Sequence, residues 1–165
     1  MSKLLGAVAV VALICVAVTG CSERKVATTK QPTVESAKAA VLAEEKRLVS
    51  FLPSQYVERL DQLNTAHLLS CTGGGYTWPD QAEVTLKGSP DTGSLLDDVA
   101  RGYRKLPHFT LSMDKTSEGA DRLTVSNDDG ASYLVSPWKS NTALRITSFS
   151  VCFNLRADQW PGGAY

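Results

Sequence analysis

Cys71 carries the chemistry most worth weighing in this chain. It stands four residues after His67 and two before Gly73-Gly74-Gly75, in the stretch CTGGGYTWPD (71–80). A cysteine nucleophile needs a base within hydrogen-bond reach to form its thiolate. On one strand His67 and Cys71 would share a face but stand about 13 Å apart, so activation is not expected. The glycines could cradle a phosphate if they opened a helix with a lysine nearby. Here Tyr76, Thr77, Trp78 and Pro79 follow, which favour extended chain or a turn, and no GK[ST] occurs.

The other chemical candidates are thin. The chain has two histidines, His67 and His108, without the paired ligand spacing of zinc sites. Asp128-Asp129-Gly130 is acidic but lacks the spaced oxygens of a calcium loop, and NDDG (127–130) reads as a type I′ hairpin turn. There is no GxSxG elbow. Asp97-Asp98 falls in the first turn of an expected helix, where acids favour the dipole. The sequence is therefore read as that of a non-enzyme with no metal and no cofactor. What remains is aromatic: Trp78-Pro79, Pro137-Trp138 and Trp160-Pro161 each set a tryptophan beside a proline at an expected strand end. Were Trp78 and Trp138 adjacent and exposed, they would join Tyr76 in a contact patch, since tryptophan is enriched in binding hot spots.

These residues need elements to position them. Thr33 is a plausible cap, and Val34, Ala37, Val41, Leu48 and Phe51 follow mostly at helical spacing, with Glu44 to Arg47 grouped as charges. Pro53 stops the run, so the pattern predicts a helix over 33–51. A second helix is expected from Ser94-Leu95-Leu96-Asp97, a start like a capping box. Its apolar stripe is Leu95, Leu96, Val99, Tyr103 and Leu106, ended by Pro107. Strands are expected at 66–71, in QAEVTLKG with Ala82, Val84 and Leu86 inward, and in HFTLSMD burying Phe109, Leu111 and Met113. DRLTVSN, SYLVSPW and NTALRITSFSVCFNL complete the set. In the last of these the apolar residues change phase, from Leu144 and Ile146 to Phe149, Val151 and Phe153. That predicts a bulge near Thr147-Ser148 or burial on each face in turn. Residues 54–64 stay ambiguous. The order implies an α+β fold: an antiparallel sheet of about five to six strands with two helices packed on one face.

The first thirty residues concern location. Lys3 precedes an apolar run over 4–18, which suits the core of a signal peptide and is short for a spanning helix. Val18-Thr19-Gly20-Cys21 resembles the bacterial lipobox. That resemblance implies cleavage before Cys21 and a diacylglyceryl group on its thiol. The alternatives are an uncleaved anchor or an ordinary leader with a chance cysteine. On the lipobox reading the chain divides into a signal peptide (1–20), lipidated Cys21 with a flexible polar tether (21–32), and one domain (33–165). The protein would sit lipid-anchored on the extracytoplasmic face of the cell membrane, where two acyl chains hold stably. With Cys15 removed and Cys21 acylated, Cys71 and Cys152 are left as an even pair in an oxidising compartment, so a disulfide is expected. The chain has 17 basic and 17 acidic side chains. That balance argues against nucleic acid as a partner.

Three segments also resemble a known group: Leu68 to Trp78, DDGASY (128–133) and LRITSFSVCF (144–153). A late Cys-Phe and an earlier cysteine near GGYxW are similar to small actinobacterial lipoproteins. The resemblance implies a cell-envelope lipoprotein and carries over no catalytic residue. The leading expectation is a non-enzymatic, membrane-anchored envelope protein that contacts a protein or envelope component. The second is a lipid or small-molecule carrier with an apolar cavity between helices and sheet.

Overall fold

A computed structural model describes residues 31–165. The leader, Cys21 and most of the tether lie outside the described residues. Helix α1 (Val34–Ser50) begins at Thr33, whose side chain accepts from Ser36 N while Ser36 Oγ accepts from the Thr33 amide. Its buried stripe is Val34, Ala37, Val41, Glu45 and Leu48. After a 3-10 turn at Ser54–Tyr56, β1 (Val57–Asp61) follows, then β2 (Leu69–Ser70), β3 (Tyr76–Thr77) and β4 (Pro79–Leu86). Helix α2 spans Thr92–Tyr103, and β5 (Phe109–Lys115), β6 (Asp121–Asn127), β7 (Ser132–Trp138) and β8 (Ala143–Phe149) complete the order.

Six strands form one antiparallel sheet in the order β1-β4-β8-β7-β6-β5, while β2 and β3 pair separately. Both helices cover one face of the large sheet, α1 over β1, β4 and β8, and α2 over β5, β6 and β7. The expected α+β architecture is the one observed. Alternation explains it: Ala82, Val84, Leu86, Leu123, Val125, Tyr133, Val135, Leu144 and Ile146 all point at the helices and are buried. Edge-on contacts join the two helical halves, with Phe51 against Tyr103 at 5.2 Å and Tyr103 against Phe109 at 4.9 Å.

The helices meet at Gly102, where a Cβ would collide with the Phe51 ring. Gly102→Ala should gain up to about 1 kcal/mol of helix propensity and lose about 1–3 kcal/mol to overpacking. The expected outcome in urea unfolding is a net destabilisation of about 1–2 kcal/mol; a more stable variant would show that Phe51 repacks freely.

Several local expectations need correction. Helix α2 starts three residues earlier than the Ser94 start: Asp91 is the cap, and its carboxylate accepts from Ser94 N at 3.2 Å and Ser94 Oγ at 2.6 Å. Of the strand expected at 66–71 only Leu69–Ser70 forms a strand, and both residues are exposed. The ambiguous stretch 54–64 contains β1. Met113 is 48% exposed, on the edge strand β5 beside an open groove that it lines with Ala100 and Arg104 of the α2 end. In the NDDG turn only Gly130 has a positive φ, of 95°, and its amide donates to Asn127 O at 3.1 Å. Type I′ would require positive φ at Asp128 and Asp129; a type I turn with a glycine bulge stands there instead.

Strand β8 shows no bulge. Its pairing with β4 runs unbroken from Thr85–Ala143 to Pro79–Phe149. The inward positions stay even, through Ser148 and on to Ser150, both buried. The apparent phase change arises because two inward positions are serines and β8 ends before Val151 and Phe153.

Candidate functional site

Cys71 and Cys152 are joined, with Cα atoms 6.3 Å apart, as expected from the even pair. The Cys71 amide donates to Gly75 O, and the Gly74 amide to Cys71 O. Gly73, Gly74 and Gly75 all hold positive φ, at 97°, 104° and 78°. At Gly75 a Cβ would also stand 2.7 Å from Phe153 O. Close approach is needed there because Tyr76 and Phe153 exchange two backbone hydrogen bonds of 2.8 Å. The glycine run is therefore a backbone device beside the bridge, and Cys71 has no free thiol. His67 lies outside β2, bridged to Ala164 of the C-terminal segment.

The expected aromatic patch does not form. Trp78 is 0% exposed. Its indole Nε1–H donates to Tyr165 O at 3.0 Å and its amide to Ser150 Oγ at 2.9 Å. Even-phase register with Asp80, Ala82 and Val84 sends it into the helix-covered layer. Tyr76 is half-buried beside Phe153, and Trp138 lies at an outward position of β7 on the other face of the sheet. Trp160 is the most exposed large apolar side chain among those described, at 73%, in the C-terminal loop.

Trp138 instead belongs to a groove on the face without helices. The groove holds about 460 Å³ between β1, β4, β8 and the end of β7, lined by Arg59, Asp61, Gln81, Glu83, Trp138 and Arg145 among others. The Arg145 guanidinium lies over the indole, an attraction to the negative ring face. On the rim Arg59 Nε pairs with Asp61 at 2.6 Å and Lys139 Nζ with Glu83 at 2.7 Å. Among the described residues Arg145 forms no ion pair.

The turn between β7 and β8, whose Lys139 lines the groove, is strained. Lys139, Ser140 and Asn141 hold φ of 49°, 53° and 69° in succession. Each non-glycine residue there costs roughly 1 kcal/mol. Thr142 holds the turn, donating from both its amide and Oγ1 to Lys139 O. Strain that the surroundings maintain is a feature of binding sites.

A polar cluster lies under α1. Glu45 is 0% exposed; Ser148 Oγ donates to its Oε1 at 2.6 Å and Gln62 Nε2 to its Oε2 at 2.7 Å. Asp80, 4% exposed, has neither carboxylate oxygen hydrogen-bonded. Burial, above all, pushes Glu45 up to about 7 and raises Asp80 as well. Sequence reasoning grouped Glu45 with the neighbouring charges Glu44, Lys46 and Arg47. The available signal was its spacing, four residues after Val41 and three before Leu48, on the apolar stripe.

The grooves found among the described residues are open to solvent, and none is an enclosed Leu- and Phe-lined cavity between helices and sheet. No described helix is long and apolar enough to cross a membrane. No group of three or more histidine, cysteine or acidic side chains that could hold a metal occurs among the described residues.

The fold thus defines a two-layer α+β domain whose antiparallel sheet carries helices on one face and an open groove on the other. Among solved structures it is similar to a DUF4853 family protein from Actinomyces odontolyticus, with a TM-score of 0.53 over 81% of this chain and 76% of that one. Sequence identity is 13%, so the likeness concerns the fold alone. No family model matches the chain, and no curated protein matches it either.

Proposed function

We propose that this is a non-enzymatic envelope lipoprotein, held at the extracytoplasmic membrane surface by acylated Cys21, whose domain contacts a protein or envelope component through the Trp138–Arg145 groove. The observation that carries the reading is that groove: an aromatic with a stacked arginine, on a helix-free sheet face, beside a strained turn. Tryptophan and arginine dominate binding hot spots, and the paired rim charges favour a polar, mixed-charge partner surface. The lipobox and the Cys71–Cys152 bridge support an oxidising, extracytoplasmic location.

Two experiments test the reading. Fatty-acid labelling of the full chain should vanish in Cys21→Ala; equal labelling would remove the anchor from the proposal. A photo-crosslinker replacing Gln81, at the groove, should capture a defined adduct in intact cells, whereas one replacing exposed Lys105 on the helical side should not. Trp138→Ala should weaken that adduct at least about thirtyfold, the loss of roughly 2 kcal/mol expected of a hot-spot residue. Equal capture from both positions, or an adduct indifferent to Trp138, would overturn the groove as the contact site.

A further inference from the structure

We infer that Glu45 and Asp80 form a buried proton-binding site, in which one proton held between the two carboxyls latches α1 to the sheet. The site spans the two layers: Glu45 projects from α1, Asp80 from β4, and Ser148 from β8. Glu45 and Asp80 are each more than nine-tenths buried, and Ser148, the cross-strand partner of Asp80, donates to Glu45 at 2.6 Å. Two like charges in such a place repel and forgo hydration, so one carboxyl keeps its proton. The open hydrogen-bond capacity of Asp80 shows where that proton belongs. Protonated Glu45 donates to the otherwise unpartnered Asp80 oxygens, while Ser148 and Gln62 continue to donate to Glu45.

The neighbours on each packed element leave this balance in place. On α1, Lys38 lowers Asp80 by its charge, but its amine bonds to Asn64 O and lies 5.5 Å from the Trp78 ring centre. Glu44 is engaged by Tyr103 of α2 and by Arg47. From β7, Tyr133 faces the pair, is held neutral by burial and so adds no charge. The carboxylate oxygens of Asp80 are themselves sealed from solvent.

The pH response follows from linkage. In the unfolded chain Glu45 loses its proton near its ordinary value of 4.5, and in the folded chain only near 7. Between those values the folded state holds a proton that the unfolded state lacks, so this stabilisation is full below 4.5 and lost as pH rises through 7. Because α1 directly follows the tether, release of the proton loosens the element nearest the anchor.

The test compares the full wild-type chain with Glu45→Gln in detergent, by urea unfolding at pH 5 and pH 8. Relative to the variant, the wild-type folding equilibrium should weaken roughly 50- to 100-fold between those pH values. Parallel pH profiles would overturn the site. Should Glu45→Gln not fold, carboxyl carbon NMR of the wild type decides: a Glu45 midpoint near 7 supports the proposal, and one near 4.5 overturns it.

Discussion

Removing the Cys71–Cys152 bridge, by reduction or by a double serine replacement, should destabilise the folded domain by about 2–5 kcal/mol. The cysteines are 81 residues apart in sequence, so the bridge closes a long loop and removes much chain entropy from the unfolded state. The folded side of the balance matters too. On the β8 side of the bridge the chain is tied to β3 by the two Tyr76–Phe153 bonds and by Thr77 Oγ1–H donating to Ser150 O at 2.8 Å, and β2 with β3 is a two-stranded sheet. A sheet that small is marginal without support. Since a domain of this kind is stable by only about 5–15 kcal/mol, the loss would be a large fraction of the whole. Urea unfolding with and without reductant measures it. Amide exchange should also accelerate at Tyr76 and Phe153 before it does in β4 or β8. An unchanged midpoint on reduction would mean that packing of Phe153 alone secures the C-terminal segment.

Trp78→Ala should cost about 3–5 kcal/mol, the range for truncating a large buried aromatic. The indole is fully buried, so truncation removes its packing and leaves a cavity between α1 and β4 that the layers cannot close without shifting. It also strips Tyr165 O of the Nε1–H donor, freeing the chain end that pairs with Ala66. Trp78→Phe separates the two contributions, because it keeps most of the ring and loses the donor. The expected order in chemical unfolding is wild type, then Phe, then Ala, with the smaller step at Phe. A Phe variant as damaged as Ala would assign the role chiefly to the tail hydrogen bond.

How well the chain could be read from its residues depended on how local the cause was. Helix α1 and the strand phases of β4, β6 and β7 follow from spacing alone, because a period of 3.6 or 2 puts apolar residues on one face. The start of α2 was misplaced by three residues, because Ser94 offered a start like a capping box and the Asp91 carboxylate that accepts from Ser94 N and Oγ shows only in the fold. The polar inward positions were harder. Glu45, Asp80 and Ser148 occupy the buried phase of their elements, but a polar residue in an apolar phase reads as noise until its partners are known. The same serine made β8 look bulged. The groove was illegible for a related reason: Trp138, Arg145, Arg59 and Glu83 come from four strands that pairing order alone brings together.

By itself the sequence determined the α+β class, the two helices and the inward faces of β4, β6 and β7, and it led to the expectation of a Cys71–Cys152 bridge. Each follows from local periodicity, from turn residues or from simple counting. Only the tertiary structure decided which side of the sheet each tryptophan faces and which carboxyls share the core. Those properties depend on register between strands distant in sequence, where moving one residue carries a side chain from core to solvent. Trp78 and Trp138 show it plainly: each adjoins a proline at a strand end, yet one is sealed beneath α1 and the other floors an open groove.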